Sequence, residues 1–391
     1  ELGFWAGLWA KVFKTEAPQP KFGVIDSGAD VSHPLLKRVK EVKNMTSGAN
    51  VDDIGHGSWV HSTVLHMAPW SRNTTHYKTF LNGSATLDDI LKSLTQAGND
   101  GNLVISNSWG DDEGDRNGPD AQLVKKLASE GHIMVFAAGN AGSGKNTIGS
   151  PAIVTYKDPT TGAIRVVSVA AAGRDKKIAY FSSRGPGSPK TAKDPSYKDH
   201  RPDLTAVGYN IEGAWPAALN EADRVDGEKG PVKAISGTSM STPGVAGALA
   251  LLAMMFGVTE KGEKLDAIVN AEMATLEKTG QGADNEGEGF LNVDAAYKKL
   301  QAQFSTIAPD VTRFRALNKR LTELDRFIGM TGSWKYGVMI DGVEFARAIQ
   351  ERKSVAVTLT AMQKADNTLA YRAAGPIKRL ILNATGAAPK P

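Results

Sequence analysis

The chain has 391 residues, of which 41% are hydrophobic and 23% charged, so it is long enough for two or three domain-sized units around a large buried core. Its formal net charge of +4 comes from 46 basic and 42 acidic residues, and this small excess gives no reason to expect a nucleic-acid or membrane partner. The absence of cysteine excludes a disulfide scaffold, a thiol nucleophile and a cysteine-based zinc site.

The N-terminal segment, residues 1–20, carries no recognisable targeting sequence. It lacks a basic leader and a cleavage site of small residues, so we expect that any targeting segment has been removed. Trp5, Leu8 and Trp9 recur at helical spacing, which favours a helix packed on the core of the chain over a surface anchor. The longest apolar run, residues 244–258, is shorter than the ~20 residues that cross a bilayer, so no membrane span is expected.

Short apolar runs that end in polar turns predict a parallel sheet. Each run is followed by Gly, Ser, Asn or Asp, and helical patterns separate some of the runs. Strands that alternate with helices are typical of an α/β fold, here a doubly wound, mostly parallel sheet flanked by helices. Reactive groups of such sheets gather at the carboxyl ends of the strands, where these turns lie. The runs are residues 22–25, 103–105, 133–138 and 164–172, and the helical patterns are residues 87–97 and 121–130.

The character of the sequence changes near residue 300. Residues 21–300 carry the strand and helix pattern and are predicted to form one catalytic domain. The later residues predict a small C-terminal extension, residues 301–391, whose role the sequence does not indicate. Its features are a basic helix-like run at residues 311–327 and β-like runs at 355–360 and 379–382.

Three residues could form a nucleophilic site. Serine is a poor nucleophile at neutral pH, and it needs a histidine to take its proton and a carboxylate to orient that histidine. Asp26 follows a buried strand, His56 stands at the expected start of a helix, and Ser239 precedes an apolar helix. A serine at a helix start lies near the positive end of the helix dipole, and Asn140 offers a side-chain amide donor, so this set could stabilise an oxyanion.

The order and surroundings of these residues resemble the subtilisin-like serine proteases, the subtilase family. The resemblance covers roughly residues 20–300 and implies that fold. It also implies Asp26 as the orienting acid, His56 as general base and then acid, and Ser239 as nucleophile. Asn140 would be the oxyanion donor. The motifs that carry it are Asp26-Ser-Gly28, Ser32-His-Pro34, Gly55-His-Gly57, Met67-Ala-Pro69, Ala138-Gly-Asn140, Phe181-Ser-Ser-Arg-Gly-Pro186 and Gly237-Thr-Ser-Met-Ser-Thr-Pro243.

By the same resemblance, two backbone segments line the primary specificity pocket. An extended peptide would pair with them as an added strand, so the substrates are expected to be proteins or peptides. The segments are Ser108, Trp109 and Gly110, and Ala137, Ala138 and Gly139, with Gly149 near the pocket floor.

A run of acids follows the first of these segments. In the kexin and furin branch of the family, acids directly after the matching Ser-Trp-Gly contribute to recognition of basic residues. Asp111 and Asp112 are therefore predicted to favour basic side chains a few residues before the cleaved bond. The alternative is a solvated acidic loop. The acids near the expected cleft are Asp111, Asp112, Glu113 and Asp115, with Asp52 and Asp53 before His56.

The chain departs from the family at positions that concern packing and metal binding. Trp59 stands one helical turn after His56, where we expect it to pack in the core. The segment between His56 and Pro69 is too short for the calcium loop of many subtilisins, and Leu35 occupies the place of an Asp ligand. A strong calcium site is therefore predicted to be absent. Asp203 matches the carboxylate of a weaker cation site, and catalysis is expected to need no cofactor.

The remaining histidines show no metal-ligand spacing with acids. They are interpreted as structural or solvated side chains. They are His33, His61, His66, His76, His132 and His200.

Together these features predict a secreted or periplasmic serine endopeptidase that forms an acyl-enzyme at Ser239 and resolves it with water activated by His56. A removed N-terminal propeptide is expected from the family. His56 stands where a sedolisin-type acid peptidase would have Glu, which disfavours that class. Two alternatives stay open: a catalytically silent scaffold that only binds, and a variant of the same chemistry that joins peptides.

Overall fold

A computed structural model describes residues 19–193, 201–219, 223–227 and 230–306, with residues 323, 353 and 356 as isolated positions. Most of these belong to one unit, Pro18–Leu300, from which residues 1–17 and 301–391 group separately. The helix expected around Trp5 to Trp9 and the extension elements expected after residue 310 lie outside the described residues, as does His200.

Seven strands form the central sheet: β1 (Phe22–Asp26), β2 (Val39–Asn44), β3 (Thr74–Lys78), β4 (Val104–Asn107), β5 (Ile133–Ala137), β6 (Val166–Ala172) and β7 (Leu204–Val207). They pair in parallel in the order β2-β3-β1-β4-β5-β6-β7. Every residue of β1, β5 and β6 is buried, which agrees with their nearly continuous apolar sequence. This order confirms the doubly wound α/β fold.

The described helices are α1 (His56–Met67), α2 (Leu87–Asn99), α3 (Pro119–Ser129), α4 (Thr238–Phe256), α5 (Glu263–Met273), α6 (Ala283–Glu286) and α7 (Val293–Thr306). α4 contacts α1, α5 and the strands from β4 to β7, so it lies at the centre of the core. By length and composition α4 could cross a membrane, but 72% of its apolar window is buried inside the fold. This burial is typical of the core helix of a globular domain.

A second, antiparallel sheet packs against α1. Its strands are β8 (Ile211–Ala214), β9 (Val225–Gly227) and β10 (Gly230–Ile235), in the order β8-β10-β9. Trp59 of α1 is fully buried, and its Nε1 donates a hydrogen bond to the carbonyl of Lys233 in β10 at 3.0 Å. The expectation that Trp59 packs in the core is therefore confirmed, and the contact holds this sheet against the helix that begins at His56.

The strand order reverses between β1 and β4. β3 and β2 lie on one side of β1, whereas β4 to β7 lie on the other. The helical connections on the two sides diverge at this point and leave a crevice at the carboxyl ends of the strands. Asp26 is the last residue of β1, and Ser108 directly follows β4, so both lie at this crevice.

Candidate active site

Asp26 and His56 meet at the end of β1. Nδ1 of His56 lies 2.7 Å from Oδ1 of Asp26, and the backbone N–H of Ser27 donates to the same oxygen at 2.8 Å. Asp26 is buried, and within the described residues its Oδ2 has no hydrogen-bond partner. The His56 side chain is 29% exposed. A buried carboxylate therefore fixes one ring nitrogen of a histidine whose ring remains partly open to solvent.

The electrostatic surroundings of His56 favour its protonated form. Burial is the largest single influence and lowers the pKa of His56, but the charge of Asp26, its hydrogen bond and the charge of Asp52 together raise this pKa above its ordinary value. An imidazolium at this position is therefore stabilised, which is what a base needs while it holds a proton in transit.

Asp52 connects the turn after β1 with the start of α1. Its Oδ2 accepts from the N–H of Ser58 at 2.7 Å, and its Oδ1 accepts from the hydroxyl of Ser27 at 2.8 Å. The hydroxyl oxygen of Ser27 in turn accepts from the N–H of Gly57 at 2.8 Å. These bonds satisfy free N–H groups at the helix start and fix His56 relative to Asp26. Asp52 is thus used within the protein and does not face a substrate.

Ser239 is the second residue of α4, and it lies against the segment that follows β4. Its hydroxyl donates to the carbonyl of Ser108 at 3.0 Å, and the hydroxyl of Ser108 donates back to the carbonyl of Ser239 at 2.9 Å. The structure therefore places Ser239 at the crevice, with its proton directed at Ser108 and not at the ring of His56.

Asn140 and Ser239 direct nitrogen atoms at one small space. The Asn140 Oδ1 accepts from the N–H and the hydroxyl of Thr238, at 2.9 and 3.0 Å. A Cβ placed on Gly237 would lie 3.6 Å from Asn140 Nδ2 and 3.7 Å from the backbone nitrogen of Ser239. Gly237 is extended, with φ 163°, so any residue could adopt its backbone, and the nearest atom to such a Cβ is Met240 Sδ, at an ordinary contact distance of 3.4 Å. We call the space beside Gly237, which these two nitrogen atoms border, the cradle.

The two predicted pocket segments are joined by residues 149 and 150. Asp111 and Ser150 exchange two backbone hydrogen bonds of 2.9 and 3.0 Å, and the N–H of Gly149 donates to the carbonyl of Ala138 at 2.9 Å. A Cβ on Gly149 would collide with the carbonyl oxygen of Asp111, and one on Gly110 would lie 2.6 Å from that of Ser150. Residues 149 and 150 are therefore hydrogen-bonded to both predicted pocket segments, and the three segments lie close together.

Trp109 turns its ring into the core. The ring lies 5.5 Å from that of Phe136 in an edge-on arrangement and 6.1 Å from that of Phe80. The packed indole therefore anchors the segment 108–110 to the sheet.

The acidic run is partly neutralised by Lys190, which comes from a distant segment of the chain. Lys190 lies 3.0 Å from both Glu113 and Asp115, and Asp111 Oδ1 accepts from the N–H groups of Glu113 and Gly114. Asp112 is exposed. On the other side of the crevice, Asp53 pairs at 2.7 Å with the fully buried Lys78. Unlike Glu113, Asp115 and Asp53, Asp112 has no ion pair within the described residues.

Asp203 does not fit a cation site. It is buried, and its Oδ2 accepts from the guanidinium of Arg201 and, at 2.7 Å, from the N–H of Ser168. Arg201 supplies the positive charge that a metal would bring, so Asp203 is not proposed as a metal ligand. The described part of the chain contains no group of three or more His, Asp or Glu side chains that could hold a metal ion.

One feature of this region escaped the sequence analysis. Tyr180 and Tyr209 are 76% and 47% exposed, and the Phe181 ring lies within 5.4 and 6.3 Å of theirs. Backbone bonds from Gly142 to Phe181 and from Gly237 to Gly208 connect this aromatic patch to the Asn140 and Ser239 segments. Of these three aromatic residues, only Phe181 belongs to a motif that is recognisable in the sequence.

Comparisons with known proteins agree on one family. Residues 18–290 match the model of the Subtilase family. The chain is similar to Pyrolysin of Pyrococcus furiosus, with 30% identity over 68% of this chain and 20% of that protein. It is also similar to the Membrane-bound transcription factor site-1 protease of Homo sapiens, with 28% identity over 75% of this chain and 27% of that protein. Subtilisin DY of Bacillus licheniformis is 29% identical over 71% of this chain and 90% of its own length.

Solved structures agree on the fold. The Prenylagaramide maturation protease PagA matches with a TM-score of 0.55 and 21% identity over 75% of this chain and 98% of that one. A lanthipeptide protease matches with a TM-score of 0.56 and 22% identity over 77% of this chain and 96% of that one. At this identity the likeness concerns the fold alone. The chain spans only about a fifth to a quarter of the length of pyrolysin and site-1 protease.

Proposed function

Because the chain belongs to the subtilase family, we propose that it is a serine endopeptidase in which Ser239 attacks the peptide carbonyl with the help of His56 and Asp26. The observation that carries this proposal is the 2.7 Å contact between His56 Nδ1 and Asp26 Oδ1 at the strand-order reversal. It orients the ring so that Nε2 remains for the hydroxyl of a serine. Ser239 lies at the same crevice, at the start of α4.

Catalysis begins with a rotation of the Ser239 hydroxyl. Its proton is held by the Ser108 carbonyl, so the hydroxyl leaves that acceptor and turns towards Nε2 of His56. His56 takes the proton as the Ser239 oxygen bonds to the substrate carbonyl carbon. The charge and hydrogen bond of Asp26, which raise the pKa of His56, stabilise the resulting imidazolium.

The negative charge that develops on the carbonyl oxygen would enter the cradle beside Gly237. There Asn140 Nδ2 and the backbone N–H of Ser239 are placed to donate to it, and the dipole of α4 adds to their effect. His56 then returns its proton to the leaving amine as the C–N bond breaks. Water, deprotonated by His56, then attacks the acyl carbon. As the bond to Ser239 breaks, His56 gives that proton to the Ser239 oxygen and the second product leaves.

The substrate class follows from the pocket walls. Segments 108–110 and 137–139 face the crevice, and an extended peptide chain could add to them through backbone hydrogen bonds. Protein or peptide substrates fit this arrangement. Secretion and a removed propeptide accompany the proposal as expectations from the family.

Upstream basic residues would meet Asp112. Its carboxylate is exposed, whereas Glu113 and Asp115 pair with Lys190. An exposed pair contributes little, so the preference for a basic side chain should be modest, roughly twofold to fivefold in kcat/KM.

One observation favours a second candidate, a scaffold that binds peptides without cleaving them. The Ser239 hydroxyl is hydrogen-bonded to Ser108 in the structure. A fluorophosphonate probe separates the two candidates, because it reacts only with a serine that a neighbouring base activates. Labelling of the wild-type protein, but not of Ser239→Ala, is the expected result. An unlabelled, folded wild-type protein would favour the scaffold.

A further inference from the structure

Two buried histidines lie behind the candidate active site. His61 belongs to α1, His76 belongs to β3, and both are fully buried. Their Nδ1 atoms are 3.2 Å apart, so one ring donates a hydrogen bond to the other. We call these two residues the histidine pair. From the sequence alone, both were interpreted as structural or solvated side chains.

The surrounding bonds determine where each ring carries its proton. The N–H of Gly28 donates to Nε2 of His76 at 3.0 Å, so this nitrogen bears a lone pair and the proton of His76 is on Nδ1. His76 therefore donates to Nδ1 of His61, whose own proton is on Nε2. Within the described residues that Nε2 is buried without a hydrogen-bond partner. Both rings must be neutral for this chain of bonds to exist.

The histidine pair connects the two elements that carry the proposed acid and base. Gly28 stands two residues after Asp26, with φ +126°, a conformation that favours glycine. His61 stands five residues after His56 on the same helix. A Cβ on Gly57 would collide with the carbonyl oxygen of Gly28 and lie 3.0 Å from Cε1 of His76. The turn after Asp26, the start of α1 and the ring of His76 are therefore closely packed against one another.

We propose that His76 is a positioning residue, which holds the Asp26 turn against α1 through Gly28 and so maintains the hydrogen bond between Asp26 and His56. His61 supports it by accepting the proton of its Nδ1. This inference deepens the proposed function, on which its kinetic consequence rests, whereas the geometry of Asp26 and His56 can be tested without any catalysis.

The charged neighbours keep the pair neutral. Burial first, and then electrostatic interactions with His61, Lys78 and His56, hold the pKa of His76 well below its ordinary value. Burial and the charge of Arg38 lower the pKa of His61 to about 3. A proton that entered the pair would have to displace the Gly28 bond, and these neighbours oppose its entry. The positioning bond therefore persists at any pH at which a serine peptidase works.

Three variants separate positioning from general packing. His76→Gln keeps an acceptor near the position of Nε2, whereas His76→Leu removes the acceptor at similar volume. His132→Leu is the matched control, because His132 is also buried and hydrogen-bonded, through Nδ1 to the carbonyl of Asn102 at 2.6 Å, but contacts neither the Asp26 turn nor α1. If His76→Leu does not fold, His76→Asn replaces it, since its shorter side chain does not reach Gly28.

The first measurement is the pKa of His56 by NMR titration of its ring, in a Ser239→Ala background that prevents self-digestion. A loosened contact with Asp26 removes part of what raises this pKa, so His76→Leu should lower it by roughly half a pH unit to one unit. His76→Gln and His132→Leu should leave it unchanged. An unchanged value in His76→Leu overturns the inference, and so does an equal drop in His132→Leu or in His76→Gln.

The second measurement is peptide hydrolysis, normalised to active sites counted with the fluorophosphonate probe. His76→Leu should lower kcat by ~10- to 100-fold with little change in KM, and the acidic limb of its pH–rate profile should move to lower pH. A wild-type protein that neither labels nor hydrolyses refutes the proposed function alone, and the NMR titration then decides the positioning role. Active wild-type protein with an unaltered His76→Leu profile refutes the positioning role alone.

Discussion

Ser108 and Ser239 hydrogen-bond to each other's carbonyls, at 3.0 and 2.9 Å. This reciprocal pair joins the end of β4 to the start of α4 and holds the proposed nucleophile at the edge of the sheet. The hydroxyl of Ser239 is therefore bonded to a carbonyl, and the proposed mechanism requires it to rotate towards His56.

Removal of any member of the proposed triad should abolish most of the activity. Ser239→Ala should give no detectable hydrolysis and no probe labelling, while Asp26→Asn and His56→Ala should each lower kcat by ~10⁴ or more. Circular dichroism and thermal melting should show that each variant remains folded. Labelling that persists in Ser239→Ala would disprove the assignment of the nucleophile.

The cradle beside Gly237 should be sensitive to a single methyl group. Gly237→Ala would place a Cβ 3.6 Å from Asn140 Nδ2, inside the space for the oxyanion, so kcat should fall by roughly 10²–10³ with KM little changed. Asn140→Ala should have an effect of similar size. Gly244→Ala is the control on the same helix, because a Cβ there meets no atom within 4 Å. Equal kinetics for Gly237→Ala and Gly244→Ala would remove the cradle from the mechanism.

Glu272 should make the fold less stable as the pH rises. It is buried in α5, its Oε2 has no hydrogen-bond partner among the described residues, and burial raises its pKa to about 8. A folded-state pKa above the unfolded value of 4.5 means that its stabilising contribution is complete below pH 4.5 and is lost as the pH rises towards 8. The loss is at most ~1.4 kcal/mol for each pH unit in that window.

The measurement is thermal unfolding at several pH values, in a Ser239→Ala background. Glu272→Gln, which cannot ionise, should gain stability relative to the parent as the pH rises through this window. Glu263→Gln, at an exposed position of the same helix, should keep the parent's pH dependence. A constant difference between Glu272→Gln and its parent at all pH values would contradict the prediction.

Asp112 should contribute to specificity and Asp115 should not. Asp112→Asn should lower the ratio of kcat/KM for matched peptides that carry Arg or Gln upstream of the cleaved bond, by roughly twofold to fivefold. Asp115→Asn is the control, because the Asp115 carboxylate already pairs with Lys190 at 3.0 Å. The same ratio in both variants would mean that the acidic loop is only solvated.

Chelators should shift the melting temperature by only a few degrees at most. α1 runs from His56 to Met67 without an inserted loop, and the Asp203 carboxylate is occupied by Arg201. Unfolding in the presence and absence of a calcium chelator measures this directly. A larger drop would reveal a strong ion site elsewhere in the protein.

The positions of the candidate residues along the chain were predictable, whereas their orientations were not. Asp26 and His56 could be placed at a strand end and a helix start because apolar runs and polar turns mark such boundaries. The bond of Ser239 to Ser108 joins residues far apart in sequence, so only the folded packing of α4 on β4 reveals it. For the same reason the sequence suggested a metal ligand at Asp203 and could not show that Arg201 already faces it.

The contact between the two buried histidines also could not be predicted from the sequence. From their spacing along the chain, His61 and His76 were interpreted as structural or solvated side chains. That spacing could not reveal that the two rings meet, because β3 and α1 come together only through the sheet order. The charges of Asp52 and Asp53 were visible in the sequence, but their internal partners, Ser58 and Lys78, were not.

The helix that carries Ser239 is also the helix around which the domain is built. Most residues of α4 are buried, including those in the turn that contains the nucleophile. Beyond the first turn, whose N–H groups include the one beside the cradle, amide hydrogens in this helix should exchange with solvent mainly when the whole domain opens, because these residues are buried in the core. Heat inactivation should then coincide with global unfolding, and a partly melted domain with a working nucleophile should not exist.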